Sequence, residues 1–365
     1  MQIRAAVATG KSQPFVVQTL ELDEPRPDEV LVRVVATGVC HTDLVVRDQY
    51  YPTPLPAVLG HEGAGIVERV GERVTRVQPG DHVVMSYLTC GACPACRQGQ
   101  PGQCPDLFAL NFGGARSDRS QALHHNGQAL SSHFFGQSSF GTYALANQRN
   151  VVRVPKDVPL EILGPLGCGI QTGAGGVMNS LHPRAGSSIA IFGAGSVGLS
   201  AVMAAHVVGC TTIVAVDTKP NRLGLARELG ATHVVNAAET NAVEAIQSIT
   251  GGGANYCLET TAVPAVFRQA VDALQLRGVC GLIGAAPLGT EVTFDMNTIL
   301  FGRTITGIIE GDSVIDVFIP RLIELYRQGR FPFDRLIHFY SLDQINQAAE
   351  DSLAGGTLKP VLRMS

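Results

Sequence analysis

Short apolar runs punctuated by Pro, Gly and Asp mark the first half of the chain. Val30-Leu31-Val32-Arg33-Val34-Val35 and His82-Val83-Val84-Met85 are two of them. Runs this short, closed by turn formers, predict strands, so the first half reads as β-rich. From Leu110 to Gln137 the residues become polar and rich in Gly, Ser and His. That composition predicts a long surface loop and no packed element. Near Pro165 the pattern changes again. Ser188–Phe192, Thr212–Val216, His233–Val235, Tyr256–Thr260, Val279–Ile283 and Thr304–Ile308 read as strands, with helical patterns such as Asn221–Leu229 and Val263–Leu274 between them. Strand–helix alternation predicts an α/β body with a parallel sheet covered on both faces, and six strands complete a doubly wound, dinucleotide-binding sheet.

Beyond Glu310 the pattern predicts helices at Val314–Gln328 and Leu342–Leu353 and a last strand at Pro360–Leu362. This tail is assigned to the β-rich body. The expected division is therefore 1–166 with 310–365, and 167–309 for the nucleotide body. A length of 365 residues agrees with two cores. No solenoid-type repeat is visible.

Composition narrows the function classes. Hydrophobic residues make up 45% and charged residues 16%, with a formal net charge of −4. This is a globular chain without a basic block, so no nucleic acid partner is expected. Met1-Gln2-Ile3-Arg4 opens no apolar signal core, and no run is long enough for a bilayer, so no membrane partner and a cytoplasmic location are expected.

Four of the nine cysteines crowd into one stretch: Cys90, Cys93, Cys96 and Cys104, spaced C-x2-C-x2-C-x7-C. Four thiolates so close in sequence can close a tetrahedral shell around zinc, in a lobe spanning residues 88–106. Ferredoxins also carry C-x2-C-x2-C runs, but their fourth cysteine follows sooner. Such a closed site is structural. Cys40, His61 and Cys168 offer a second donor set, and two Cys with one His would leave a fourth zinc position open for water or substrate. Spacing alone does not choose these three, because a lone Cys or His is more often an ordinary core residue.

Gly193-Ala194-Gly195-Ser196-Val197-Gly198 follows the strand Ser188–Phe192 and opens a helix. A G-x-G-x-x-G in that context suits a pyrophosphate on a helix N-terminus. Asp217, ending the next strand, would accept both adenosine ribose hydroxyls and repel a 2′-phosphate, so NAD is the expected cofactor. The alternative, a carboxylate that only caps the following turn, stays open.

Taken in order, the segment Gly60-His61-Glu62 through Val74, the Cys40-His41-Thr42-Asp43 segment, the four-cysteine lobe and the glycine-rich turn resemble the zinc-containing medium-chain alcohol dehydrogenases. The likeness covers essentially the whole chain and is closest to the benzyl- or aryl-alcohol branch. It implies a GroES-like catalytic domain plus a Rossmann NAD domain. It implies two zinc ions per chain, with Cys40, His61 and Cys168 on the catalytic one and Glu62 behind it as an alternate ligand. Asp43 would orient His61, and Thr42 would take the proton of the alcohol. Around NAD it implies Arg222 at the ribose, His41 and Lys359 at the pyrophosphate, and Thr172 and Ile283 with Val197 along the remaining cofactor surface. The implied reaction is reversible oxidation of a primary alcohol to its aldehyde, in a homodimer or homotetramer. Val45 departs from the pattern: liver-type members carry a proton-passing histidine there. Tyr50 and Tyr51, between two of the ligands, could line an apolar pocket or simply belong to a proline-rich loop. Aliphatic or glutathione-adduct alcohols, a zinc-free quinone reductase, and a non-enzymatic NAD-binding zinc protein are the competing readings. The full ligand set and Asp217 argue against the quinone reductase.

Overall fold

The apolar run at Val30–Val35 lies inside the strand Glu29–Gly38, which is buried along most of its length. In this computed structural model, which describes residues 1–364, that strand is the spine of a seven-stranded sheet. It pairs antiparallel with Glu62–Val70, Tyr143–Asn147 and Lys359–Arg363. A five-stranded antiparallel sheet, built on Gln2–Ala8 and Phe15–Leu22, completes the β-rich unit. That unit comprises Met1–Cys168, Val314–Pro320 and the chain from Asp334 onward. The chain thus returns to it after residue 313, but Arg321–Phe333 groups with the other unit and not, as expected, with the rest of the tail.

The second unit holds Gly169–Ser313 and Arg321–Phe333. Its six strands are all parallel and run in the order third, second, first, fourth, fifth, sixth: His233–Asn236, Thr212–Asp217, Ser188–Phe192, Ala254–Glu259, Leu274–Leu282 and Thr304–Gly307. This is the doubly wound order, whose reversal between first and fourth strands opens a crevice at their carboxyl ends. Strands covered on both faces need continuous apolar runs. Ala190, Phe192, Val214, Val216, Cys257 and Cys280 supply them, packed on Ile246, Phe267 and Val271 from the helices. The helix Ser196–Val207 has no polar face: Ser200 through Ala205 are all buried.

The surface loop expected over Leu110–Gln137 is corrected. The segment contains the end of a helix at Leu107–Phe112, two short strands at Leu123–His125 and Gln128–Leu130, and a turn at Phe134–Gly136 with both phenylalanines buried. Polarity misled because much of it is satisfied internally. Arg116, in that segment, is 4% exposed and holds both carboxylate oxygens of buried Glu29, at 2.7 and 3.0 Å, together with Asp23 at 3.0 Å. Among the described residues all nine cysteines are free of disulfides, and no helix is long and apolar enough to cross a membrane.

Burial pushes the Glu29 carboxyl up, but hydrogen bonds from His133, Arg116 and the Arg26 amide outweigh it and bring its pKa from 4.5 down to about 2. The pair therefore stabilises the fold fully above pH 4.5, and that contribution is lost as pH falls through about 2. Arg116→Met strands a buried carboxylate, which costs about 3–5 kcal/mol. Thermal melting should show the deficit at neutral pH as a drop of about 10 °C, shrinking steadily as the pH is lowered. A pH-independent deficit would mean that Arg116 contributes packing and not charge.

Candidate active site and nucleotide crevice

Cys40 precedes the helix His41–Arg47, and its amide donates to Asp43 Oδ2 at 2.9 Å. The other oxygen of Asp43 accepts from the Gly60 amide at 3.0 Å and faces His61 Nδ1 at 2.9 Å. Gly60 has φ +89°, and a Cβ there would lie 2.5 Å from Phe140. Only glycine fits this turn, which delivers His61 to the start of the strand Glu62–Val70. Cys168 follows the turn Gly164–Gly167.

These local structures bring Cys40, His61, Glu62 and Cys168 together, with donor atoms all within 4.8 Å of one another. His61 is fully buried, with Nδ1 taken by Asp43 and Nε2 lacking a hydrogen-bond partner. A buried imidazole nitrogen without a partner, beside two thiols, fits a metal ligand set. The Cys168 thiol hydrogen-bonds Cys40 and, against the effect of burial, holds its thiol well below the usual range; Lys359 and His61 add to this. Burial works against the His61 imidazolium, yet the Asp43 carboxylate raises its pKa well above the ordinary value. Thr42 Oγ1 lies 3.8 Å from Cys40 Sγ.

Lys359 has a buried partner across the β-rich unit. It is 2% exposed, and its Nζ donates to both oxygens of Glu62 at 2.9 and 3.0 Å. Burial works against the charge, but Glu62 and Cys40 raise the ammonium's pKa beyond the usual lysine range. An ammonium so enclosed is a counter-ion to Glu62. His41, by contrast, is exposed at the start of its helix.

Aromatic rings surround the imidazole. Phe135 stacks on His61 at 4.4 Å with 29° between planes, and Phe134 meets it edge-on at 5.5 Å. Phe112 packs on both phenylalanines, and Tyr51 and Phe108 pack on Phe112. Tyr51 therefore belongs to this cluster, while Tyr50 is 56% exposed. Phe135 has φ +51°, uncommon for a bulky residue and characteristic of functional turns. Sequence reasoning missed Phe112, Phe134 and Phe135. The Phe-Phe doublet inside a polar segment was the signal available.

The four-cysteine lobe closes as its spacing implies. The sulfurs of Cys90, Cys93, Cys96 and Cys104 lie within 4.8 Å of one another, and the Cys93 and Cys96 amides point to the preceding sulfurs at 3.3 and 3.4 Å. Such a turn suits zinc bound by four thiolates.

In the second unit, Gly193 has φ +96°, and a Cβ on Gly198 would sit 1.8 Å from the Gly193 carbonyl. A Cβ on Gly195 would meet nothing within 4 Å. That open space, above the first turn of Ser196–Val207, fits a pyrophosphate approaching the backbone. Val197 follows in the same turn, and its carbonyl lies so close to Gly173 that a Cβ there would be 1.9 Å away. Asp217 accepts from the Ala194, Thr218 and Lys219 amides at 2.7 to 2.9 Å, with Arg222 4.0 Å away. It does cap the turn, and a carboxylate's lone pairs still leave room for a ribose hydroxyl. Thr172 is buried with Oγ1 3.4 Å from Glu310, and the Ile283 amide donates to the Glu259 carbonyl.

Residues 26–156 match the alcohol dehydrogenase GroES-like domain, and residues 196–326 match the zinc-binding dehydrogenase family. The chain is 47% identical over 362 residues to a geraniol dehydrogenase of Castellaniella defragrans, covering 98% of this chain and 97% of that protein. Its structure is similar to benzyl alcohol dehydrogenase from Acinetobacter calcoaceticus, with TM-score 0.97, 53% identity and all of both chains covered. It is also similar to an alcohol dehydrogenase zinc-binding domain protein from Burkholderia ambifaria, with TM-score 0.98, 59% identity, and 100% and 99% of the two chains covered.

Metal analysis should find about two zinc ions per chain, one for each donor set. Asp43→Asn should weaken the Cys40–His61–Cys168 site about tenfold to a hundredfold. After dialysis against a chelator the variant should retain one zinc while the parent retains two. Equal retention would remove Asp43 from the site's support.

Proposed function

Because the chain belongs to the zinc-containing medium-chain alcohol dehydrogenases, we propose that it oxidises a primary benzyl-type alcohol to its aldehyde, reversibly, with NAD as the hydride acceptor. Alcohol oxidation follows from the family. The aromatic preference rests on the rings packed around His61, from Phe135 and Phe134 through Phe112 to Tyr51. Aromatic walls favour a flat, unsaturated substrate by stacking and by burying its apolar surface. Geraniol and benzyl alcohol, named for two of the similar proteins, both carry an unsaturated carbon beside the alcohol carbon.

Cys40, His61 and Cys168 would hold the catalytic zinc, and Cys90, Cys93, Cys96 and Cys104 the structural one. When bound, zinc supplies the Lewis acidity that lowers the alcohol's pKa, and the nicotinamide ring accepts the hydride. Asp43 keeps the imidazole in one orientation, and Lys359 holds Glu62 as a neutralised reserve ligand. Thr42 takes the hydroxyl proton of the alcohol. Val45 cannot carry that proton onward, so it leaves through His41 or ordered water. Asp217 would meet the adenosine ribose hydroxyls and repel the extra phosphate of NADP, which favours NAD. Arg222 beside it, and Thr172, Val197 and Ile283, complete the cofactor contacts. The free cysteines suit a reducing cytoplasm. The edge strand Thr304–Gly307, with Met296, Leu300 and Phe301 exposed nearby, suits a homodimer or homotetramer, readable by light scattering.

Thr42→Ala should lower kcat by about a hundredfold or more, whereas Thr42→Ser should stay close to the parent. Equal turnover of the two variants would take Thr42 out of the proton path. NADH formation should show kcat/KM for benzyl alcohol well above those for ethanol and S-hydroxymethylglutathione, and NADP should replace NAD poorly. Preference for the glutathione adduct would move the enzyme to formaldehyde oxidation.

A further inference from the structure

His61 and Cys168 lie on segments far apart in the chain, and a second buried group besides Asp43 joins them. Gln137 is 1% exposed and Ser86 fully buried. The Gln137 amide nitrogen donates to the His61 carbonyl at 2.9 Å and to the Ser86 carbonyl at 3.2 Å. Its oxygen accepts from the Gly63 amide at 3.2 Å, so one side chain grips the backbone on both sides of Glu62. From Ser86 the path continues: its hydroxyl donates to the Gly167 carbonyl at 2.6 Å. That carbonyl belongs to the peptide directly preceding Cys168, whose backbone is unusual, at φ −146° and ψ −85°. Asn150 donates to the same Ser86 carbonyl at 3.0 Å and to the Phe135 carbonyl at 3.1 Å, which ties in the turn carrying the ring stacked on His61.

We propose that Gln137 and Ser86 are positioning residues for the open metal site, forming one hydrogen-bonded bridge that keeps the His61 and Cys168 peptides at ligand spacing. The proposal rests on reading Cys40, His61 and Cys168 as ligands. Metal ligands need their donor atoms held within fractions of an ångström. Asp43 fixes the imidazole ring and the Cys40 amide but makes no hydrogen bond to the Gly167–Cys168 peptide. The bridge fixes that remaining distance, by way of backbone carbonyls whose partners cannot be replaced by water in a buried setting.

The test uses the zinc-loaded full chain: the parent, Ser86→Ala, Gln137→Met and the double variant. Zinc release to a chromogenic chelator is followed well below the melting transition, alongside the visible spectrum of protein with cobalt at the open site. Each single variant should release one zinc about tenfold to a hundredfold faster than the parent and alter the cobalt bands, while the four-cysteine zinc leaves at the parental rate. The double variant should release no faster than Gln137→Met alone, because both substitutions cut the same path. Ser86→Ala removes only one hydroxyl and keeps the test available if Gln137→Met folds poorly. Unchanged release, additive effects, or loss of both zincs in step would overturn the bridge. A parent holding a single zinc would instead overturn the ligand reading beneath it.

Discussion

A buried carboxylate, Asp43, carries the geometry of the Cys40–His61–Cys168 cluster. It accepts from the Cys40 amide, the Gly60 amide and the His61 ring, so three separate backbone and side-chain directions end on two oxygen atoms. A buried carboxyl group is costly unless its lone pairs are filled, which makes any arrangement that breaks this set unfavourable. The constraint acts on the fold as well as the site. It joins the helix after the central strand to the turn before the next one, and the φ of +89° at Gly60 makes that closure sterically open.

The two units solve different problems with different means. The β-rich unit must gather charged and thiol groups in a dry place, and it does so with buried pairs: Asp43 with His61, Glu62 with Lys359, Glu29 with Arg116. The doubly wound unit must let a ligand reach the backbone, and it does so by omission. Gly195 leaves space where a side chain would stand, while Gly193 and Gly198 allow the turn and helix to come together. The first unit gathers side chains, whereas the second presents backbone around its glycine-rich turn, beside a single carboxylate at Asp217.

The polar segment between Leu110 and Gln137 shows how composition misleads. Its Ser and His residues suggested solvent, yet Ser131, Ser132 and His133 are buried and Arg116 is matched to Glu29 from a distant strand. Hydrogen-bonding capacity says that a residue needs partners, without saying whether water or protein supplies them. The same segment delivers Phe134, Phe135 and Gln137 to His61, so a stretch read as featureless holds much of the surroundings of that imidazole.

The sequence by itself determined what depends on short-range spacing. The four-cysteine lobe, the glycine-rich turn between strand and helix, Asp217 at the next strand end, and the six strands of the parallel sheet are all local patterns, because sterics and hydrogen bonding act over a few residues there. Tertiary structure alone decided which distant groups meet. Nothing between residues 62 and 359 announces that Lys359 would pair with Glu62, or that Gln137 would grip the backbone around His61. Those outcomes depend on which strands lie side by side, a choice made by the burial of whole faces and not by any residue's neighbours in the chain.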